Sequence, residues 1–372
     1  MDKLKPVEHG FKAVVFKLLA GFLKRGEKEF QPLDGMRLSK VLFLRPEKIG
    51  DMVISLPVFD GLRVAFPHIK QSILASPKNV ALIEHDPRFE RVYLYRKNLF
   101  RDLGEILRMR KERFDCVVDM ICDDSVTALF LSQLCAPGKP RIGVGKVKFR
   151  QYYDYNYDHR MGNTGHIIQN TLALLGAFGL EPATMDPYAR PHFAAGEREQ
   201  GKTFVQSLKQ DGEHSIVIGY NLSAGSTTRI WAEEKSVELV HRLSELDSNS
   251  QVLLLCAPPD RSRAQSILQK TGERVAIIPD GFSLLQASAL VGQLDLLVSP
   301  DTSMIHIARS FHVPVVGLYS RFMKNFLLWR PFGQEAGAVL SGNDDNIFDI
   351  SVDQVMSSVR EVLRSSRKVE RS

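Results

Sequence analysis

The sequence contains few cysteines and no long apolar run. Its four cysteines, Cys116, Cys122, Cys135 and Cys256, form no CxxC pair, so neither a disulfide framework nor a structural zinc site is indicated. Three of them lie in or beside apolar stretches, which is typical of buried, reduced thiols. No segment is apolar over the length needed to span a bilayer, and the N-terminus lacks the apolar core and cleavage site of a secretory signal. These absences predict a cytoplasmic protein.

The charge balance is only moderately basic. Lys and Arg number 49 against 43 Asp and Glu, which gives a net charge of +6. Such an excess favours anionic partners, such as phosphorylated substrates, nucleic acid or acidic lipid, without choosing between them. Residues 11–25 combine apolar positions at helical spacing with several lysines. They are compatible with a helix on the anionic inner face of the cytoplasmic membrane, and equally with a helix docked on its own domain.

The rest of the chain alternates short apolar strands with helices. This alternation predicts an α/β protein with two Rossmann-like, doubly wound domains facing across a cleft. We place an N-terminal extension at residues 1–35, the two domains at 36–185 and 186–350, and a final helix at 351–372 that could pack back on the N-terminal domain. Residues 140–165 show no clear period and predict a long loop.

Ligands of open α/β sheets bind beyond the carboxyl ends of the strands, so the loops that follow strands are the expected places for functional residues. The first strand, at 40–44, is followed by Lys48-Ile49-Gly50-Asp51. A carboxylate at this position can take a proton from an attacking hydroxyl, or it can cap the helix that begins there. Spacing alone favours the cap for Asp51.

A second loop, residues 221–231, consists mainly of small and hydroxyl residues between a strand and a helix. Backbone N–H groups, the hydroxyls of Ser226, Thr227 and Thr228, and the guanidinium of Arg229 are groups that bind a phosphate or diphosphate. The alternative is a flexible polar linker with an exposed arginine. We favour phosphate binding because the loop joins a clear strand to a clear helix, although it contains no P-loop motif.

A third loop, residues 299–306, also leads from a strand into a helix. Asp301 can accept hydrogen bonds from sugar hydroxyls, while Thr302 and the first N–H groups of the helix can bind an anion. His306 lies one turn further along; taken alone, it is better explained as a hydrogen-bonded histidine between sheet and helix. Asp123 and Asp124 are better explained as a polar loop end than as a cation site.

These three segments together resemble glycosyltransferase family 9, the heptosyltransferases of lipopolysaccharide core assembly. RPEKIGDMVISLPVFDGLR resembles the first motif of that family, SAGSTTRIWAEEKSVELVHRL its phosphate loop, and LLVSPDTSMIHIARSFHVPVVGLY its donor motif. The resemblance covers residues 40 to 320 with the motifs in the family's order. It implies a GT-B fold and inverting transfer from a nucleotide-diphosphate sugar, usually ADP-heptose, with no metal or other cofactor and no nucleic-acid partner.

The resemblance also implies a role for each matched residue. Asp51 would be the general base, Arg229 would neutralise the leaving diphosphate, and Asp260 would contact the ribose. The other matched residues fall into three sets. The residues that would bind the donor phosphates are Ser226, Thr227, Thr228, Thr302 and Ser303, and those that would bind the donor sugar are Asp301 and His306. The residues that would contact the acceptor are Arg45, Lys48 and Asp119. The acceptor would be a lipid-linked or core oligosaccharide.

Two departures from the family pattern affect these expectations. Ser303 stands where the family usually has Gly, and residues 120–122 replace a common Gln-Gly pair, which leaves the identity of the acceptor open. Two alternatives remain: the same fold acting on a UDP-linked N-acetylhexosamine, and a non-catalytic two-lobed protein that binds a sugar or nucleotide. A nicotinamide oxidoreductase is disfavoured because no complete GxGxxG is present.

Overall fold

A computed structural model describes residues 31–158, 165–209 and 216–369. The predicted amphipathic segment 11–25 lies outside these residues. The chain divides into two compact units, Met1–Pro187 and Tyr188–Ser372. Among the described residues, no helix has both the length and the apolar character needed to cross a bilayer.

Each unit is built on one parallel sheet, and the two sheets have the same topology. The first sheet has the order β3-β2-β1-β4-β5-β6 and the second the order β9-β8-β7-β10-β11-β12, so the α/β class with doubly wound sheets is confirmed. The strands of the first unit are β1 Lys40–Leu44, β2 Lys70–Ala75, β3 Arg91–Leu94, β4 Cys116–Asp119, β5 Arg141–Val144 and β6 Tyr155–Tyr157. Those of the second unit are β7 Ile216–Asn221, β8 Ser250–Leu255, β9 Val275–Ile277, β10 Leu296–Pro300, β11 Val315–Tyr319 and β12 Ala338–Leu340.

Helices connect the strands and cover the sheets. In the first unit they are α1 Ile49–Val53, α2 Leu56–Ala65, α3 Leu99–Lys111, α4 Val126–Cys135 and α5 Ile167–Leu172. In the second unit they are α6 Ala195–Leu208, α7 Glu233–Ser244, α8 Arg261–Gln269, α9 Leu284–Val291, α10 Ser303–Ser310, α11 Met323–Trp329 and α12 Val352–Val369. The apolar face of α12 belongs to the core of the second unit, where Val355 and Val359 pack with residues of β10 and β11.

The central strands are apolar on both faces because helices cover both sides of each sheet. Residues 41–44 of β1 and residues 296–298 of β10 are completely buried. Strand register then fixes which loops are neighbours. Leu44 at the end of β1 pairs with Asp119 at the end of β4, and Val298 of β10 pairs with Tyr220 of β7.

These two strand pairs have a special position in the topology. In each sheet the chain order reverses between the first and the fourth strand of that sheet. Such a switch point is where open α/β sheets bind ligands, because the connections on its two sides lie on opposite faces and leave the strand ends uncovered. The loops after β1 and β4, and after β7 and β10, therefore flank the expected binding position of their own unit.

The prediction of a long loop at residues 140–165 is wrong at residues 141–144 and 155–157, which are strands, and holds for the residues between them. Residues 141–144 and 155–157 form β5 and β6, with a single 3₁₀ turn between them. Strand β6 pairs with β5 and lies at the edge of the sheet, where its residues are only half-buried. Residues 153–158 alternate tyrosine with polar residues, which is a strand signal that the loop prediction overlooked.

Candidate functional site

The loop after β1 places Asp51 as the third residue of α1. Its Oδ2 accepts a hydrogen bond from the backbone N–H of Lys48 at 3.1 Å, so the carboxylate does cap the helix. The side chain is 15% exposed, and Oδ1 lies 3.7 Å from Nη2 of Arg45. One oxygen thus fixes the side chain while the other faces a cation, and capping does not prevent this carboxylate from accepting a proton.

Arg45 is held beneath Asp51 and is 1% exposed. Its Nε donates to the backbone oxygen of Asp51 at 3.0 Å, and its Nη1 donates to Oε2 of Glu47 at 2.6 Å and to the carbonyl of Met120. Burial alone would lower the pKa of this guanidinium, but the charges of Glu47 and Asp51 outweigh it and the pKa is raised. Arg45 is therefore a permanent cation that orients the two carboxylates.

Glu47 is a member of this charge cluster that the sequence analysis did not identify. Its carboxylate is 29% exposed and pairs with Arg45. Burial raises the pKa of Glu47 to about 7 despite the opposing charge of Arg45, and the carboxylates of Asp51 and Asp119 add to the rise. Glu47 therefore changes its charge near neutral pH, a property common among groups at functional sites.

Asp119, at the end of β4, is 1% exposed and fully engaged by the protein. Oδ2 accepts hydrogen bonds from Tyr153 at 2.5 Å and from Nζ of Lys146 at 2.7 Å, and Oδ1 accepts the N–H of Ile121 at 3.1 Å. Lys146 is completely buried and also donates to the carbonyls of Ile121 and Asp123 at 2.7 and 2.9 Å. This arrangement fixes the loop after β4.

Of the three residues predicted to contact the acceptor, only Lys48 has an exposed side chain. Arg45 and Asp119 are buried and bonded to protein groups, so direct contact with an acceptor would require these bonds to be exchanged. The structure instead gives both residues a positioning function. The carboxylate of Asp124 accepts three backbone N–H groups, from residues 147–149, at 2.9–3.1 Å, which supports its interpretation as a loop end. Among the described residues, no group of three or more His, Cys, Asp or Glu could hold a metal ion.

In the second unit, Arg229 and Asp301 form a pair between the loops after β7 and β10. Nη1 of Arg229 donates to the backbone oxygen of Asp301 at 2.9 Å and lies 3.1 Å from its Oδ2. Asn325, on α11, donates to the same Oδ2 at 3.2 Å. Arg229 remains 40% exposed, so its guanidinium can still bind an anion in solution.

The amide of Asn221, the last residue of β7, connects the same two loops. Its Nδ2 lies 3.0 Å from Oγ of Ser299 and 3.1 Å from Oγ1 of Thr302. Thr302 is the N-cap of α10, and its Oγ1 accepts the N–H of Met304. The open end of α10, with its positive partial charge, therefore lies beside Arg229. Neither Asn221 nor Asn325 was identified from the sequence.

The other donor-side residues extend this site along the sheet. Asp260, after β8, accepts a hydrogen bond from Ser223, which connects it to the loop after β7. Residues 226–228 are exposed, and Ser226 caps the short 3₁₀ turn Thr227–Arg229. Ser303 is half-buried as the first residue of α10. His306 is buried one turn along α10, with its ring 5.4 Å from that of Trp329.

Comparisons with known proteins agree with these features. A family model described as "Glycosyltransferase family 9 (heptosyltransferase)" matches residues 103–354, more than half of the chain. This span includes Asp119 and the donor-side residues but not Arg45, Lys48 or Asp51. The lipopolysaccharide core heptosyltransferase OpsX of Haemophilus influenzae is 21% identical over 284 residues, which cover 74% of this chain and 78% of that protein.

Two solved structures are similar in fold. A family 9 glycosyl transferase from Veillonella parvula superimposes with a TM-score of 0.73 and 18% identity, covering 91% of this chain and 100% of that one. The ADP-heptose LPS heptosyltransferase II of Escherichia coli gives a TM-score of 0.67 at 17% identity, covering 88% and 99%. With the two six-stranded parallel sheets, these similarities confirm the predicted GT-B class.

Proposed function

The chain belongs to glycosyltransferase family 9, the heptosyltransferases, and from this premise we propose that it moves heptose from ADP-heptose to a saccharide of the lipopolysaccharide core. Membership of the family makes it an enzyme, a glycosyltransferase. The donor, the acceptor and the inverting mechanism are the parts that we propose. The names of the similar proteins support the heptose and the core acceptor. An acceptor of this kind is lipid-linked, so we place the reaction at the inner face of the cytoplasmic membrane.

One observation carries the mechanism: each switch point bears one of the two charge types that inverting transfer needs. The first unit holds a partly exposed carboxylate, Asp51, fixed at the start of a helix. The second unit holds an exposed guanidinium, Arg229, beside the N-terminus of α10. A base on the acceptor and positive charge on the leaving group are the complementary requirements of a single displacement.

The proposed step involves one bond formed and one broken. The acceptor hydroxyl oxygen attacks the anomeric carbon of the donor from the face opposite the diphosphate, and the bond from that carbon to the phosphate oxygen breaks. The hydroxyl proton passes to Asp51. The negative charge that develops on the departing ADP is stabilised by Arg229 and by the first N–H groups of α10. The proposal requires no metal ion, and an unchanged rate in the presence of a chelator would support that.

Replacing the proposed base is the direct test. Asp51→Asn keeps an oxygen that can accept the Lys48 N–H but removes the proton acceptor, so transfer should fall about 10²- to 10⁴-fold while ADP affinity in calorimetry stays unchanged. Asp34→Asn is the matched control, because Asp34 also accepts a backbone N–H at the start of a short helix of the same unit. A rate near that of the wild type in Asp51→Asn would show that another group is the base.

The donor and the stereochemistry need separate measurements. Mass spectrometry of mixtures of ADP- and UDP-linked sugars with truncated core oligosaccharides would identify the donor that is bound and consumed. Turnover of a UDP-linked N-acetylhexosamine alone would reject heptose and favour the alternative donor. Binding without turnover of any donor would favour a non-catalytic protein. Nuclear magnetic resonance of the product should show an anomeric configuration opposite to that of the donor, and retention would contradict the single displacement.

A further inference from the structure

Helix α3 (Leu99–Lys111) of the first unit presents an apolar stripe to solvent. Phe100, Leu103 and Leu107 are 87%, 51% and 51% exposed. At about 100° per residue, positions 100, 103 and 107 fall within about 60° of one another on the helix surface. Three large apolar side chains on one exposed face form a patch, which differs from the isolated apolar residues that ordinary surfaces carry.

The stripe is not the face by which α3 packs on its sheet. Met109, on the opposite side of the helix, is completely buried in the core of the first unit, with Ile106 beside it. Asp102 is also buried, and its carboxylate accepts the backbone N–H groups of Arg96 and Asn98 at 2.8 Å, which ties down the start of the helix. Helix α3 is therefore apolar on two opposed faces, and one of them is outside the unit.

Exposed cations surround the stripe. The same helical wheel places Lys111 and Arg108 along one side of it and Arg110 along the other, and all three are exposed. Residues 96–113 contain seven Lys or Arg and three Asp or Glu. Of the three acidic side chains, Asp102 is buried and Glu112 pairs with Lys40 and Arg91. Glu105 pairs with Arg96 and Arg108 and offsets part of their charge, so Arg110 and Lys111 supply most of the positive charge beside the stripe.

We propose that this outward face of α3 is a docking surface for an anionic lipid bilayer. Apolar side chains can enter the boundary between headgroups and acyl chains while the surrounding Lys and Arg pair with lipid phosphates. The long stems of these cations can also lie along apolar surface and keep their charged ends at the headgroups. The inference is independent of the donor and of Asp51.

A second copy of the chain fits this surface less well. A twofold contact would place the patch against itself and bring the cations of one copy against those of the other. Three side chains also present much less than the roughly 800 Å² per partner of a stable interface. Charge complementarity thus favours lipid over self-association.

Flotation with vesicles tests the proposal on the full chain. The protein should float with vesicles of phosphatidylglycerol and phosphatidylcholine in equal parts, and much less with phosphatidylcholine alone or at high salt. Phe100→Ser/Leu103→Ser/Leu107→Ser should weaken partition about tenfold or more, since apolar insertion and charge each contribute to binding of this kind. All three side chains are exposed, so the substitutions should leave the fold intact, which thermal unfolding would verify.

Met36→Ser/Val64→Ser is the matched control. Both side chains are highly exposed, at 72% and 81%, in the same unit. Right-handed crossovers place α2, which carries Val64, on the face of the sheet opposite α3. The control variant should therefore partition onto vesicles as the wild type does. Equal partition of the α3 variant and the wild type would overturn the proposal.

A local probe separates α3 from any other lipid contact, including one by residues 11–25. The tryptophan of Phe100→Trp should be quenched by brominated lipid, whereas that of Val64→Trp should not. Absence of quenching at position 100 would overturn the proposal even if the protein floats with vesicles. This is also the result expected if another part of the chain covers the stripe. If the triple variant lost a dimer that the wild type forms but still bound vesicles, the partner of the stripe would be a second copy of the chain.

Discussion

Lys146 allows a sharp prediction, because its ammonium is completely buried with the carboxylate of Asp119. Lys146→Met keeps most of the length of the side chain and removes its charge. The change leaves a buried carboxylate without its cation, and it leaves the carbonyls of Ile121 and Asp123 without the donor they have in the wild type. Removing one partner of a buried pair in this way costs about 3–5 kcal/mol, so the first unit should lose that much free energy of unfolding.

The assay must report the first unit alone, because a chain of two units need not unfold in one step. Hydrogen exchange of peptides from β4 and β5, followed by mass spectrometry, measures this unit directly. Trp231 and Trp329, the two tryptophans of the chain, both belong to the second unit. Their emission in urea should therefore report a transition that Lys146→Met does not move.

Two comparison variants make this prediction specific. Lys148→Met removes an exposed lysine two positions away and should change stability by less than about 0.5 kcal/mol. Lys146→Met/Asp119→Leu removes both charges and should be more stable than Lys146→Met, because no isolated charge remains buried. If Lys146→Met were as stable as the wild type, the buried pair would not hold the loop after β4 and our account of that loop would fail.

Three further predictions concern single groups. Arg229→Met should weaken ADP affinity in calorimetry roughly 10- to 100-fold by removing a charged hydrogen-bond donor, whereas Arg321→Met, which removes another partly exposed arginine of the same unit, should not; equal affinities would remove Arg229 from the site. Thr302→Val should lower the stability of the second unit by about 1 kcal/mol through loss of the α10 cap, and an unchanged urea midpoint of tryptophan emission would contradict this. The pKa of Glu47 is raised to about 7, so its contribution to stability is present at low pH and is lost as the pH rises through that value. Relative to Glu47→Gln, the first unit of the wild type should lose about 1–3 kcal/mol of free energy of unfolding between about pH 5 and pH 8, as measured by hydrogen exchange. If the stability of both proteins changed with pH in the same way, this prediction would be refuted.

The sequence was sufficient to predict the elements that are apolar throughout. Residues 41–44 of β1 and residues 296–298 of β10 are covered on both faces and form uninterrupted apolar runs. The polar loops that follow these strands were therefore identified, and Asp51 and Asp301 lie in them. Arg229 lies in the loop after β7, a strand that is also buried almost throughout. The pairing of Arg229 with Asp301 was not predicted, because it depends on β7 and β10 being neighbours although they are separated by two other strands in the chain.

The positions that the sequence misrepresented are polar residues in buried surroundings. Lys146 follows Gly143-Val144-Gly145 in a stretch that resembles a solvent-exposed loop, and its partner Asp119 is far away along the chain. In the sequence, Glu47 is one more charge in a polar loop, because the cause of its raised pKa, burial beside Arg45, exists only in the folded chain. Such contacts between distant segments leave no periodic signal in a single sequence.

Sheet pairing within the described residues stays inside each unit, and each unit repeats the same strand order. A genetic exchange with its breakpoint between Pro187 and Tyr188 would therefore interrupt no hydrogen-bonded strand pair. Evolution could alter the half that carries Arg229 and Asp301 while inheriting the half that carries Asp51 intact. Chimeras joined at this point between related chains offer the same freedom to protein engineers.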